Sequence, residues 1–215
     1  MKEKMTVHKA LSELKVLDSR INSEISGCKF VVSNKHSNAK IGGVSIPEFV
    51  NGVRETYQSI RTLINRRNGI KRAVTRSNAV TMVSINGVEY SVAEAIDMKA
   101  VGVSYLKALS DTIEHQLTTA QRLADASNGD KLEQRTDDYI KTMYQGADMK
   151  NLGDEIKKVR DDFVTAQTTE IIDPISAAAE VSAMKKEIDA FLSEIDSALS
   201  VSNALTTIEV EYETK

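Results

Sequence analysis

The chain has no Trp, two Pro and one Cys among its 215 residues. A single thiol, Cys28, excludes an intramolecular disulfide framework and fits a reducing compartment. The scarcity of Pro leaves long stretches without a helix breaker. Aromatic residues make up 5% of the chain. That is too few for the stacked platforms of an extended single-strand nucleic-acid groove, and only Tyr57 and Tyr90 lie in or near the basic segment described below. No apolar run is long enough to span a bilayer. The first residues, MKEKMTVHKALSELK, are charged throughout and lack an apolar signal core. The sequence therefore reads as a soluble cytoplasmic protein with no membrane partner.

Acids are missing from one long window as well. From Thr56 to Val88 there is no Asp or Glu, while Arg61, Arg66, Arg67, Lys71, Arg72 and Arg76 all fall there. Those six cations sit in a chain of net charge −3, which leaves −9 for the rest. Asn65, Asn68 and Asn78 are interleaved with them. Guanidinium, ammonium and amide groups together offer the donors that a phosphate takes. The overall acidic balance, with a pI near 5.7, argues against nonspecific binding of long nucleic acid by the whole surface.

What is present is helical periodicity. Val7, Ala10, Leu14, Leu17 and Ile21 step by 3, 4, 3 and 4 residues, so 6–26 is predicted as an amphipathic helix. Thr6 is placed to cap it and Gly27 to end it. Lys29–Ser33 is predicted as a short strand, and Asn34–Gly43 as a polar loop with a turn at Gly42-Gly43. A second helix starts near Pro47 and runs to about Val74, with Val53, Ile60, Ile64, Ile70 and Val74 on its apolar side. On its other side Arg61, Asn65, Asn68, Arg72 and Arg76 step by 4, 3, 4 and 4, forming one polar stripe. Gly69 costs that helix roughly 1 kcal/mol against Ala and gives room for a ligand or another backbone to come close.

Residues 81–92 (TMVSINGVEYSV) alternate on both sides of Asn86-Gly87, the signature of a tight hairpin. A lone hairpin is marginal in water, so it must pack on helices or pair with further strands; the tail Thr206–Tyr212 alternates and is a candidate strand. A long helix follows at 93–127, ended by Asn128-Gly129; 130–148 is highly charged with weaker periodicity around Leu132, Tyr139 and Met143, and Met149, Leu152, Ile156, Val159 and Phe163 then give another 3-4-3-4 seam. Asp173-Pro174 breaks the chain. A last helix covers about 175–203, with Val181, Met184, Ile188, Phe191, Ile195 and Ala198 on one side. The expected fold class is mainly α with a small β element (α+β), as one elongated helical domain over 1–215 with long helices in a bundle or coiled-coil arrangement and a β-hairpin at about 81–92. The seams at 7–21, 149–163 and 181–198 also point to a homo-oligomer, because thin bundles bury little on their own.

Three stretches carry a family resemblance. They are ALSELKVLDSRI at Ala10–Ile21, LINRRN at Leu63–Asn68 with GVEYSVAEAI at Gly87–Ile96, and EIDAFLSEIDSALSVSNALTTIE at Glu187–Glu209. In order and helical placement the chain resembles the septicolysin-like family of small helical proteins. The segment 100–180 stands as extra helical material. Where that family tends to an Arg-Asp pair after its Ala-rich turn, this chain has Asp97-Met98-Lys99. The resemblance implies an oligomeric helical architecture rather than an activity. The chain also resembles proteins encoded by phages of Gram-positive hosts, which places it in a host cytoplasm.

The remaining chemistry is sparse. His8, His36 and His115 are scattered and make no metal-ligand pair with one another or with Cys28. Asp137-Asp138 and Asp161-Asp162 are adjacent on helices and point apart, unlike an acid–base dyad. No phosphate-cradling glycine loop, nucleophile elbow or HExxH occurs, and no cofactor is indicated. The basic segment has two readings. Its cations pair with acids of neighbouring helices, with Asp154, Glu155, Asp161 and Asp162 as candidates. Alternatively Arg61, Asn65, Arg66, Arg67, Asn68, Lys71, Arg72, Arg76 and Asn78 surround a phosphate-bearing small molecule such as a nucleotide. The second reading makes the chain a non-enzymatic binding protein; in a phage it fits a counter-defence sponge for a host signalling nucleotide. A structural or protein-interaction module is the alternative. A nucleotide hydrolase stands third.

Overall fold

The computed structural model describes residues 1–145 and 153–213. The fold is mainly α with small two-stranded antiparallel ladders. In chain order the elements are β1 (Lys2–Thr6), α1 (Val7–Gly27), β2 (Lys40–Ile41), β3 (Val44–Ser45), α2 (Ile46–Val80), β4 (Met82–Ile85), β5 (Val88–Ser91) and α3 (Val92–Asp97). A π-helical segment, Met98–Gly102, leads into α4 (Val103–Ser127), followed by α5 (Asp130–Met143), α6 (Gly153–Gln167), α7 (Ala177–Leu205) and β6 (Thr207–Glu211). Among the described residues no helix is long and apolar enough to cross a membrane.

The chain packs as two compact units. The first comprises Met1–Val101 with Ala190–Lys215, the second Gly102–Asp189. The second takes in most of the 100–180 material.

The first unit is built on α1 and α2. Thr6 caps α1 by accepting from the Lys9 N–H. Val7, Ala10, Leu14, Leu17 and Ile21 are all buried, and they share one core with Ile70 and Val74 of α2 and Ile208 and Val210 of β6. The 3-4-3-4 seam of α1 is thus consumed inside this unit. Ser45 caps α2, and Pro47 sits in its first turn, where a missing N–H costs nothing. The helix continues six residues past the expected end, to Val80, because Thr81 is the first residue to turn extended.

Two strand expectations are corrected. Lys29–Ser33 forms no strand. Val31 is 91% exposed and no neighbouring strand offers a ladder, so the backbone groups there stay with solvent. A small ladder forms instead between β2 and β3, around the turn at Gly42-Gly43, where both glycines have positive φ. The tail strand β6 does form, but it does not join the hairpin. It pairs with β1 from Lys2↔Glu211 to Thr6↔Thr207. The charged N-terminal residues hid β1, whose only fully buried side chain is Met5.

The hairpin β4–β5 turns at Asn86-Gly87, with φ of 51° and 74°. Both values belong to the left-handed region of a type I′ turn. Val83 and Ile85 face inward, Met82 and Ser84 outward. The ribbon rests on α7: Tyr90 meets Phe191 edge-to-face at 5.8 Å, and Glu194 accepts the Asn86 N–H at 2.6 Å. Ser91 and Glu94 then close a reciprocal capping box that starts α3.

In the second unit α5 packs on α6. Leu132, Thr136 and Ile140 are the buried stripe of α5, and Tyr139 stacks on Phe163 at 4.4 Å. Asn128 ends α4 and holds Thr169 by two bonds of 2.9 Å, one donated and one accepted. Lys185 of α7 pairs with Glu114 of α4 at 2.8 Å. Met149 and Leu152 of the expected seam lie outside the described residues, while Ile156, Val159 and Phe163 are half-buried.

Candidate functional site

All nine candidate residues lie on α2, and six of them part into two groups. Arg66 and Arg67 turn toward β1 and α1. Arg66 pairs with Glu3 at 2.9 Å and with Glu13, and it donates to the Tyr212 hydroxyl. Its guanidinium carbon lies 5.0 Å from the centre of the Tyr212 ring. The site is half-buried, and the bond to Glu13 above all pushes the Arg66 pKa further up against the opposing effect of burial. Arg67 pairs with Asp18 at 2.9 Å and donates to Asn68 at 3.4 Å. These two cations therefore fasten α2 to β1 and α1. Their acids, Glu3, Glu13 and Asp18, come from the N-terminal elements and not from α6.

The other group faces the C-terminal strand. Asn65, Asn68 and Arg72 line a cleft of about 460 Å³ with Met1, Lys2, Glu211, Tyr212 and Glu213. Arg72 and Arg76 line a second cleft of about 630 Å³ with Gly69, Thr81, Thr207, Glu209 and Glu211 among its walls. The clefts share Arg72 and Glu211. Helical spacing explains the grouping, since residues 65, 68, 72 and 76 recur every three or four positions. Gly69 allows the close approach: a backbone, not a ligand, uses the space, because the Glu211 carbonyl lies where a larger side chain would start. Arg61 and Lys71 are exposed outside both clefts, and Asn78 is half-buried outside them.

Electrostatically the clefts are mixed. Arg72 and Arg76 make no ion pair with another described residue. Among the described residues Asn65 makes one long bond, of 3.4 Å, to the Glu213 carbonyl. Lys2 pairs with Glu211, which raises the Lys2 pKa. The same bond, with smaller help from the Met1 amine and Arg76, holds the Glu211 carboxyl below its ordinary range. Sequence reasoning missed Lys2, Glu211 and Tyr212 here. They lie more than 130 positions from α2 on one side or some 44 on the other, and only the β1–β6 pairing delivers them. The alternation of TTIEVEY was the one signal available for this wall.

A larger cavity lies elsewhere in the first unit. It measures about 1130 Å³ and lies between the end of α1, the loop after it and the start of α2. Glu24, Glu48 and Glu55 line it with Lys29 as the one cation, beside Cys28, Phe49 and Val53. Three carboxylates against one ammonium disfavour phosphate there. Among the described residues no group of His, Cys, Asp or Glu is arranged to hold a metal ion. Comparison with known protein families, with curated proteins and with solved structures finds no match to this chain.

Proposed function

We propose that this chain is a non-enzymatic binding protein that holds a phosphate-bearing small molecule, a nucleotide, in the clefts between α2 and β6. The observation that supports this reading most is Arg72. It belongs to both clefts and makes no ion pair with a described residue, while Arg76, Asn65 and Asn68 stand on the same stripe. A guanidinium binds a phosphate through two parallel N–H groups, and such charge-assisted bonds contribute about 1.5–3 kcal/mol each. Binding of this kind requires affinity and abundance and no catalytic group. The use implied by the resemblance to phage-encoded proteins, sequestration of a host signalling nucleotide, fits that requirement.

A homo-oligomer belongs to the same proposal. Exposed apolar side chains such as Tyr105 and Leu109 on α4 and Val201 and Leu205 on α7 support it. They equally support the second reading, a helical module that binds partner proteins. Mass spectrometry of the purified chain, with a nucleotide-binding screen, separates the readings. An intact nucleotide retained on the protein is the expected result. No binding favours the interaction module, and an altered nucleotide favours a hydrolase.

A further inference from the structure

Lys29–Ser33 is a strand-forming sequence left without a strand to pair with. KFVVS is rich in the β-branched and aromatic residues that suit a pleated ladder. It follows Cys28, whose backbone is already extended at φ −98° and ψ 134°. None of its backbone N–H or C=O groups bonds to a described residue. Val31 is 91% exposed, and Phe30, Val44 and Ile46 are exposed as well. An open edge of this kind is normally blunted by proline, a bulge or a charge, and Phe30, Val31 and Val32 carry no such device. From Ile25 to Pro47 there is no acid, and Lys29, Lys35 and Lys40 fall there without an ion pair to a described residue.

We propose that Lys29–Ser33 pairs antiparallel with the same segment of a second copy of this chain, about a two-fold axis at Val31, and that this ladder is the contact of the homo-oligomer. This inference rests on the homo-oligomer of the reading above and is independent of the anion site. In that register Val31 meets Val31, Phe30 meets Val32 and Lys29 meets Ser33, so no like charges stand opposite. Two positions beyond the ladder, Lys35 of each copy comes opposite Gly27 of the other, the last residue of α1. That helix has no base in its last turn, and Glu24 lies three residues before its end. Arg20 already pairs with Glu24, so the attraction comes chiefly from the carbonyls at the helix end. A strand from another protein would have to bring a cation to that position. A second copy brings it twice by symmetry.

Val31 stands on the axis, and that position supplies the test. Val31→Asp and Val31→Lys each place two like charges directly opposite one another, and at 91% exposure neither disturbs the monomer, with circular dichroism as the check on folding. Sedimentation equilibrium of the full chain at micromolar concentrations is expected to show a reversible dimer. Each variant alone should dissociate roughly fivefold more readily, through repulsion and the lost valine contact. An equimolar mixture of the two, where Asp meets Lys, should recover most of the affinity of the unaltered chain. Association that neither substitution weakens overturns this inference; if Leu109→Glu on α4 then abolishes it, the homo-oligomer stands on another face. Weakening in both variants without recovery in the mixture overturns the two-fold register and the inference with it. A chain that stays monomeric overturns this inference and the homo-oligomer together, and nucleotide binding by that monomer leaves the anion site standing. A monomer that sediments with phosphatidylserine vesicles assigns the segment to a lipid surface and overturns the inference likewise.

Discussion

The carbonyl oxygen of Glu211 stands 2.7 Å from the point that a β-carbon on Gly69 would occupy. In an exposed helix interior, Gly→Ala gains about 1 kcal/mol. Here the sign reverses, because a backbone atom within a strand ladder cannot move aside cheaply. Gly69→Ala is expected to destabilise the protein by about 1–3 kcal/mol, as overpacking does. Urea unfolding that shows equal or greater stability contradicts this contact.

Arg66 holds Glu3 and Glu13 in a half-buried site. Arg66→Met leaves both carboxylates there without a cation. The loss should be roughly 2 kcal/mol, below the 3–5 kcal/mol of a fully buried pair because solvent still reaches the acids. Adding Glu13→Gln should recover part of it, since the two changes act on one network. Strictly additive losses in a thermal-unfolding cycle count against the network.

At the hairpin tip Gly87 has a φ of 74°. Gly87→Val places a β-branched residue in the left-handed region and should cost about 1–2 kcal/mol. Amide exchange of residues 82–91 should rise with it. An unchanged exchange pattern rules out the turn described here.

Glu94 accepts the Ser91 N–H at 2.7 Å, and that bond lowers its pKa from the ordinary 4.5. A depressed carboxyl stabilises the fold above its ordinary pKa and loses that effect as the pH falls through the folded value. Glu94→Gln should therefore lower Tm at neutral pH, with a difference that narrows below about pH 4. A difference that grows toward acid reverses the sign and excludes the capping role.

Much of the fold was legible because its signals are local. The 3-4-3-4 spacing of α1, the Pro47 start of α2 and Asn86-Gly87 each decide structure within a few residues. What was not legible depends on distant partners. Lys29–Ser33 reads as a strand and lacks a strand to pair with, whereas Lys2–Thr6 reads as charged surface and has one. The site divides in the same way. The stripe Asn65, Asn68, Arg72 and Arg76 could be read from spacing. That Arg66 and Arg67, on the same helix, belong to Glu3, Glu13 and Asp18 could not, because those acids arrive only once α1 and β1 have packed. The π-helical segment at Met98–Gly102 has no sequence signal that we can name.

The central claim is that Arg72 holds the phosphate of a bound ligand. Its most direct test is titration calorimetry of adenosine diphosphate against the unaltered chain, Arg72→Ala and Arg67→Ala. Arg72→Ala is expected to weaken binding by roughly tenfold to a hundredfold, the loss of one or two charge-assisted bonds, with Tm unchanged. Arg67→Ala, which removes a cation already paired with Asp18, should bind as the unaltered chain does. Equal affinity in Arg72→Ala and the unaltered chain, or no binding by any of the three, contradicts the claim.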